Sequence, residues 1–152
     1  MRRMAAFVVL VALLAGCAAN GPVYQPTLER KRGEGLLYIY RVAGEVIGRG
    51  ESPYVEVGDK NLGRLAPGAY VTISLPPGEH EVTVRQATLF VPTVWKSTTV
   101  AVAAGSVSYV RVDQRVTEVG TAGTFSAMQA VFIEEVTAEE GQREIAETHA
   151  NN

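Results

Sequence analysis

The side chains that could carry out chemistry are few in this chain of 152 residues. It contains one cysteine, Cys17, and two histidines, His80 and His149. Neither histidine has a histidine, cysteine or carboxylate neighbour at the spacing of metal ligands, so we expect no metal and no cofactor. His80 alternates with valines, which favours packing at the rim of a strand. His149 lies in a polar tail, where we expect it to be exposed.

Catalytic constellations are also missing from the pattern. The chain has no Gly-x-Ser-x-Gly turn, and its glycines at 44, 48 and 50 are not followed by a helix, as a phosphate-binding loop requires. Two carboxylates, Asp59 and Asp113, could form the acid and base of a glycosidase, but no pattern singles them out. The sequence therefore predicts no catalytic residues and no enzyme.

Cys17 stands where an export signal would be cut. Arg2 and Arg3 precede about ten apolar residues, an arrangement typical of a cleaved signal peptide over residues 1–16. The run is too short for a transmembrane helix, which needs roughly 20 apolar residues. Leu14-Ala15-Gly16-Cys17 resembles the lipobox of bacterial lipoproteins, whose cysteine is acylated and becomes the first mature residue. The resemblance implies lipidation of Cys17 with palmitate-type chains and attachment to a membrane.

The residue after the cysteine bears on the destination. Ala18 stands where an aspartate retains enterobacterial lipoproteins in the inner membrane, so the resemblance favours the outer membrane, facing the periplasm. Removal of the first 16 residues leaves 136, with 12 basic and 16 acidic side chains and a charge of −4. Nucleic acids select basic surfaces, so we expect no nucleic-acid partner.

Residues 17–34 are expected to form a flexible tether that begins at the lipidated cysteine. They contain prolines and glycines and show no sustained periodicity. The basic cluster Arg30-Lys31-Arg32 could touch anionic lipid headgroups, or it could simply be solvated.

From Gly35 onwards, short apolar segments alternate with turn signals. The first, Leu36 to Val42, is apolar on both faces, as expected for a central strand. Seven further segments show strand periodicity: 54–57, 62–65, 70–75, 79–87, 95–103, 106–112 and 128–136. A loop is expected over 117–124. Thr137 and Glu140 have the spacing of a capping box, which predicts a short surface helix that could extend to Thr148.

This pattern predicts a mainly β fold. Seven to eight short strands with regular turns favour an antiparallel β-sandwich, immunoglobulin-like or transthyretin-like, and leave a small barrel as the alternative. The sandwich is expected over residues 35–136, and the short C-terminal helix and polar tail over 137–152.

Several segments of this region occur together in a recognisable order. They are Leu37-Tyr38-Ile39-Tyr40-Arg41, Val57 to Leu65, Gly68-Ala69-Tyr70, Leu75-Pro76-Pro77-Gly78-Glu79-His80 and Ala104 to Tyr109. With the lipobox, they resemble a family of bacterial lipoproteins known as a domain of unknown function. The resemblance covers about 35–136 and departs at Val42, where members usually carry proline. It implies a fold and a location, and no site residues.

The aromatic residues are the best candidates for a ligand or partner surface. Tyr38, Tyr40 and Trp95 could stack on a glycan, together with Tyr70 and Tyr109, although packing within the sheets would use the same side chains. The loop 43–53, rich in glycine, is a second candidate surface.

The function predicted from these features is a lipid-anchored, non-catalytic binding or scaffolding module of the bacterial cell envelope. Its partners would be the membrane, reached through lipidated Cys17, and an envelope protein or glycan. The alternatives are a carbohydrate-binding module and a carboxylate-dependent cell-wall hydrolase.

Overall fold

The computed structural model describes residues 21–26, 31–43, 52–86, 94–121 and 124–151. The predicted signal peptide, Cys17 and most of the loop 43–53 lie outside the described residues.

The described residues form nine strands and one helix. Their bounds are β1 Gly35–Tyr40, β2 Tyr54–Val57, β3 Lys60–Arg64, β4 Ala69–Leu75, β5 Gly78–Gln86, β6 Val94–Val102, β7 Val107–Thr121, β8 Thr124–Val136, α1 Ala138–Ile145 and β9 His149–Ala150. The predicted mainly β sandwich with a short C-terminal helix is confirmed.

The strands make two sheets. One has five strands in the order β8-β7-β1-β4-β9, and the other has four in the order β3-β2-β5-β6. All pairs are antiparallel except two, β1 with β7 and β4 with β9, which are parallel. Parallel neighbours need a long crossover, and here five strands of chain separate β1 from β7. The sheets are mainly antiparallel, as predicted, and include two parallel pairs that the sequence did not indicate.

The side chains that alternate along the strands build the core between the sheets. Val55 and Val57 of β2 and Val82 and Val84 of β5 are buried there, as the alternation predicted. Full burial of one such side chain contributes about 1.5–3 kcal/mol, so the hydrophobic effect holds the two sheets together.

Strand β1 is buried on both faces. Leu37 and Ile39 point into the core between the sheets, whereas Leu36, Tyr38 and Tyr40 belong to a second apolar cluster on the outer face. Every residue of β1 is buried, which explains why its sequence is apolar at consecutive positions. The prediction of a central strand is confirmed, and the outer cluster must be covered by other parts of the chain.

The turn before β4 has the geometry that its residues dictate. Gly68 has a φ of 71°, and the Ala69 N–H donates to the Ala66 carbonyl at 3.1 Å. A positive φ suits glycine in a turn of this kind. The residue before it, Pro67, has its own φ fixed near −65° by the proline ring, as the preceding turn position requires.

One predicted loop is strand. The sequence favoured a loop over 117–124, but β7 extends to Thr121 and β8 begins at Thr124, with these two threonines paired. Gly120 pairs in register with Phe125. A continuous partner strand supplies hydrogen bonds along the whole segment, and this pairing overrides the local turn preference of glycine.

Candidate functional site

The segment 21–26, predicted as part of the flexible tether, lies against the C-terminal end of the chain. Val23 forms an antiparallel bridge with His149, and the Tyr24 N–H donates to the Thr148 carbonyl at 2.9 Å. The segment therefore extends the five-stranded sheet beyond β9, although Val23 itself remains 53% exposed.

His149 is at the centre of this arrangement. Its Nδ1 donates to the Gly21 carbonyl at 3.0 Å, and its backbone N–H donates to the Gly68 carbonyl at 2.8 Å. In β9 it is followed by Ala150, which is paired with Tyr70 of β4. The expectation of an exposed histidine in a polar tail is wrong, because the tail becomes a strand that joins the N-terminal segment to the sheet.

Four tyrosine rings meet on the outer face of the five-stranded sheet. The Tyr24 ring packs edge-on against Tyr38 at a centroid distance of 5.4 Å and against Tyr70 at 5.5 Å. Tyr38 also stacks on Tyr109, with centroids 5.5 Å apart and planes inclined by 11°. Both geometries suit the charge distribution of aromatic rings, so we call these four residues the tyrosine cluster.

The hydroxyl of Tyr24 interacts with two other members of the tyrosine cluster, Tyr109 and Tyr38. Burial raises the pKa of Tyr24, and hydrogen bonds with Tyr109 and Tyr38 raise it further. An ionised phenol would lose hydration there, so the Tyr24 hydroxyl stays neutral and keeps these hydrogen bonds.

Helix α1 covers the neighbouring part of the same face. Its N-cap is Thr137, whose Oγ1 accepts from the Glu140 N–H at 3.2 Å, as the capping-box spacing predicted. Gly141 lies directly on the ring of Tyr109, and Ile145 is completely buried. The sequence predicted a surface helix extending to about Thr148, but α1 ends at Ile145 and is docked on the sheet.

A cleft of about 450 Å³ lies between the N-terminal segment, the sheet and α1. Its lining residues are Tyr24, Pro26, Tyr38, Val107, Tyr109, Gln142 and Ala146. Tyr38 and Tyr109 are only 1% and 2% exposed, so they form the floor. Pro26, Gln142 and Ala146 are exposed and form the rim. None of these seven described residues is charged.

The three aromatic residues predicted as a possible ligand surface, Tyr38, Tyr40 and Trp95, lie in two different sheets. Tyr38 is in the floor of the cleft, and Tyr40 is completely buried. Neither ring is the open platform that the sequence allowed, because the segment 21–26 and α1 cover the outer face of β1. Trp95 pairs with Arg85 in the other sheet, and its side chain lies outside the described residues. Tyr24 and Gln142 are lining residues that sequence reasoning missed. The valine–tyrosine pair at 23–24 was the one local signal for an extended segment.

A charged network lies on the other side of α1. Arg111 of β7 bonds Glu134 of β8 through its Nε at 3.1 Å, and its Nη1 reaches Glu140 at 3.0 Å and Glu144 at 2.9 Å. The Tyr40 hydroxyl donates to Glu144 at 2.7 Å. The hydrogen bond with Glu134 raises the pKa of Arg111, and the other two carboxylates act in the same direction.

This network fixes the position of α1. The guanidinium joins two strands and the helix, and a geometry with several charge-assisted bonds is stronger than an isolated surface pair. Three glutamates of the C-terminal part of the chain, Glu134, Glu140 and Glu144, are thus organised around Arg111. The network therefore holds α1 where it forms one wall of the cleft.

The other chemistry-bearing residues are dispersed. His80 Nε2 donates to the Pro76 carbonyl at 2.8 Å. Asp59 is exposed in the turn between β2 and β3, and Asp113 is in β7, so the two belong to different sheets. Within the described ranges, no group of three or more His, Cys, Asp or Glu side chains is placed to hold a metal ion. No helix in that part of the chain is long and apolar enough to cross a membrane.

These features define a class of protein: a small two-sheet β domain in which the segment 21–26 and α1 cover the outer face of one sheet. The family model described as "Protein of unknown function (DUF2846)" matches residues 31–124, more than half of the chain, and the chain belongs to this family. The resemblance to a domain of unknown function is confirmed. The match spans β1 to β7, so the segment 21–26 and α1 lie outside it. Comparisons with curated proteins and with solved structures give no match.

Proposed function

We propose that this chain is a lipid-anchored lipoprotein of the bacterial cell envelope and that its sandwich is a non-catalytic binding or scaffolding module. The observation that carries the proposal is the single cysteine placed after Arg2, Arg3 and an apolar run that is too short to span a bilayer. Acylation gives this cysteine a role, and two or more acyl chains anchor a protein stably.

Because the segment 21–26 is docked on the domain, a lipid on Cys17 would also determine which edge of the domain lies near the membrane. Gly21 contacts the domain through His149, and only four peptide steps separate it from Cys17. Four steps of about 3.5 Å span at most about 14 Å, so acylated Cys17 would hold the β9 edge close to the bilayer surface. We propose the outer membrane, with the domain in the periplasm, and an envelope protein or glycan as its partner.

The test of the anchor is the variant Cys17→Ser, with Ala18→Ser as the matched control. Lipidation predicts that Cys17→Ser leaves the detergent phase of a Triton X-114 separation or accumulates as the unprocessed precursor, while Ala18→Ser behaves as the parent protein. Metabolic labelling with an alkynyl palmitate should mark the control alone. Equal labelling and partitioning of the two variants would refute the anchor.

Carbohydrate binding is the second candidate, and the cleft favours it. The partly exposed ring of Tyr24 and the amide of Gln142 line the cleft, and such groups can contact the faces and hydroxyls of a sugar. A carboxylate-dependent hydrolase has no comparable support, because Asp59 and Asp113 lie in different sheets.

A further inference from the structure

We infer that the segment 21–26 is a releasable strap, and that its release changes how far the domain reaches from the membrane and which end of β4 is tethered. The consequence for reach rests on the proposed lipid anchor at Cys17. The release itself does not, because it depends only on the contacts of the strap with β9 and with the tyrosine cluster.

The described contacts of the strap with the domain are few. The Tyr24 N–H donates to the Thr148 carbonyl at 2.9 Å, and the Pro22 carbonyl accepts from the Ala150 N–H at 2.8 Å. The side chain of His149 adds a third hydrogen bond, and Tyr24 contributes its ring. The conformational entropy lost by six ordered residues is similar in size to what these contacts recover, and segments of this kind open more readily than the core.

The parts of the domain under the strap are held by other contacts as well. Strand β9 is paired with β4 independently of the strap, since the His149 N–H donates to the Gly68 carbonyl at 2.8 Å. The Asn151 N–H donates to the Tyr70 carbonyl at 3.0 Å. Tyr109 is covered by α1. The strap can therefore leave while β9, β4 and α1 keep their places.

The docked and released strap place the domain at different distances from Cys17. In the docked state Gly21 is four peptide steps from Cys17, which span at most about 14 Å. After release, the first described residue bonded to the sheet is Lys31, whose N–H donates to Ser74 Oγ at 3.3 Å. Fourteen peptide steps separate Lys31 from Cys17 and span at most about 49 Å. Release thus lengthens the reach of the domain more than threefold.

Release also changes which end of β4 is tethered. The docked strap lies against β9, which pairs with Ala69 and Tyr70 at the beginning of β4. Ser74 is near the other end of that strand, about 17 Å from Ala69 at about 3.4 Å per residue. The β9 edge is therefore held nearest to the bilayer only while the strap is docked.

Hydrogen exchange of adjacent amides in the C-terminal strand tests the release. The Ala150 N–H bonds the strap, whereas the N–H groups of its neighbours His149 and Asn151 bond β4 over similar distances. NMR of full-length Cys17→Ser in detergent micelles should give Ala150 a protection factor about 100-fold lower than those of its two neighbours. Equal protection of the three amides would refute the release, because the strap would then open only together with β9.

The single tryptophan of the chain reports the reach. Trp95 is in register with Arg85, which is paired with Tyr54, and Tyr54 is paired with Arg64 at the edge of the same sheet. The Arg64 carbonyl accepts from the side chain of Asn151, which directly follows β9. Trp95 thus lies at the end of the domain that the docked strap holds towards Cys17. Energy transfer from Trp95 to a dansyl-labelled lipid should therefore be stronger when the strap is docked.

The second experiment measures this energy transfer for the acylated chain in vesicles of phosphatidylethanolamine and phosphatidylglycerol that contain dansyl-phosphatidylethanolamine. Tyr24→Ala removes the ring, and Gly21→Ala adds a Cβ that would overlap the Ala150 carbonyl, so both variants favour release. Transfer should fall at least about twofold in both, because the permitted distance increases. Val23→Ala is the matched control, since Val23 is 53% exposed in the same segment, and it should behave as the parent does. Circular dichroism checks that all variants are folded.

The outcomes separate the strap from the anchor. Equal energy transfer in the parent and in both release variants would refute the change of reach. A parent protein that does not associate with the vesicles would refute the anchor and the change of reach with it, while the exchange of Ala150 would still decide the release. Equal protection of the three amides in a chain whose parent is anchored would refute the strap alone.

Discussion

Gly141 provides the sharpest test of how α1 is docked, because two effects of opposite sign compete at this position. In an isolated helix, replacement of glycine by alanine stabilises by about 1 kcal/mol. In this protein, a Cβ at position 141 would lie 2.4 Å from Cγ, 2.5 Å from Cβ and 2.8 Å from Cδ1 of Tyr109. Ordinary carbon contacts begin near 3.5 Å, so the helix or the ring would have to move by about 1 Å.

Neither partner can move easily. Tyr109 is buried and stacked on Tyr38, and α1 is held by Ile145 and by the bonds of Arg111 to its glutamates. Overpacking of a fixed site costs about 1–3 kcal/mol. We expect a cost at the upper end of that range, because the added Cβ meets Cβ and Cγ of Tyr109, which a rotation of the ring cannot move away. After subtraction of the gain in helix propensity, Gly141→Ala should destabilise the protein by about 2 kcal/mol, which for a domain of this size lowers Tm by roughly 6–10 °C.

The assay is thermal unfolding followed by circular dichroism, with Arg143→Ala as control. That variant changes an exposed position of the same helix and should stay within about 0.5 kcal/mol of the parent. If Gly141→Ala melts at the same temperature as the parent or above it, then helix propensity prevails and α1 does not lie on Tyr109.

Two further predictions concern the tyrosines. Tyr24→Ala removes a half-buried ring from Tyr38 and Tyr70 and should destabilise the protein by about 2–3 kcal/mol. It should also speed proteolytic cleavage near residues 21–26, whereas unchanged cleavage would contradict the docked segment. Tyr40→Phe tests pH dependence: burial raises the pKa of Tyr40, and its hydrogen bond to Glu144 adds to this shift. The stability from the neutral phenol is complete below the unfolded pKa of about 10 and is lost as pH rises above it, so Tm should fall more steeply between pH 9 and 11 in the parent than in Tyr40→Phe. Identical slopes would count against the buried phenol.

The sequence predicted well those elements whose signal is local. The segment 54–57 became β2 with the same bounds, and Val82, Val84 and Val100 point inward as their alternation required. Alternation of apolar and polar residues indicates a strand with one buried face, and each of these strands buries one face in the core between the sheets. The signal for the N-cap of α1 is also local, because it consists of the three-residue spacing between Thr137 and Glu140.

The rest depended on distant parts of the chain. Whether Tyr38 and Tyr40 face a ligand or an interior is decided by what covers the outer face of β1. The covering comes from residues 21–26, which precede β1 by 9 to 14 positions, and from α1, about a hundred positions after it. Neither segment has a sequence pattern that indicates where it packs. The prediction of a loop over 117–124 was wrong for the same reason, because pairing with β8 extends β7 to Thr121.

The double burial of β1 also links the cleft to the proposed anchor. Tyr24 is at once a wall of the cleft and part of the segment that leads back to Cys17. A molecule that occupies the cleft would contact this segment only while the segment is docked, so by mass action it would hold the segment against β9. A ligand of the cleft should therefore slow proteolysis at residues 21–26 in the parent and leave it unchanged in Ala146→Phe, whose larger side chain would fill the cleft. If Cys17 is acylated as proposed, occupancy of the cleft would also keep the domain close to the membrane surface, because the docked segment shortens the free chain between the lipid and the domain.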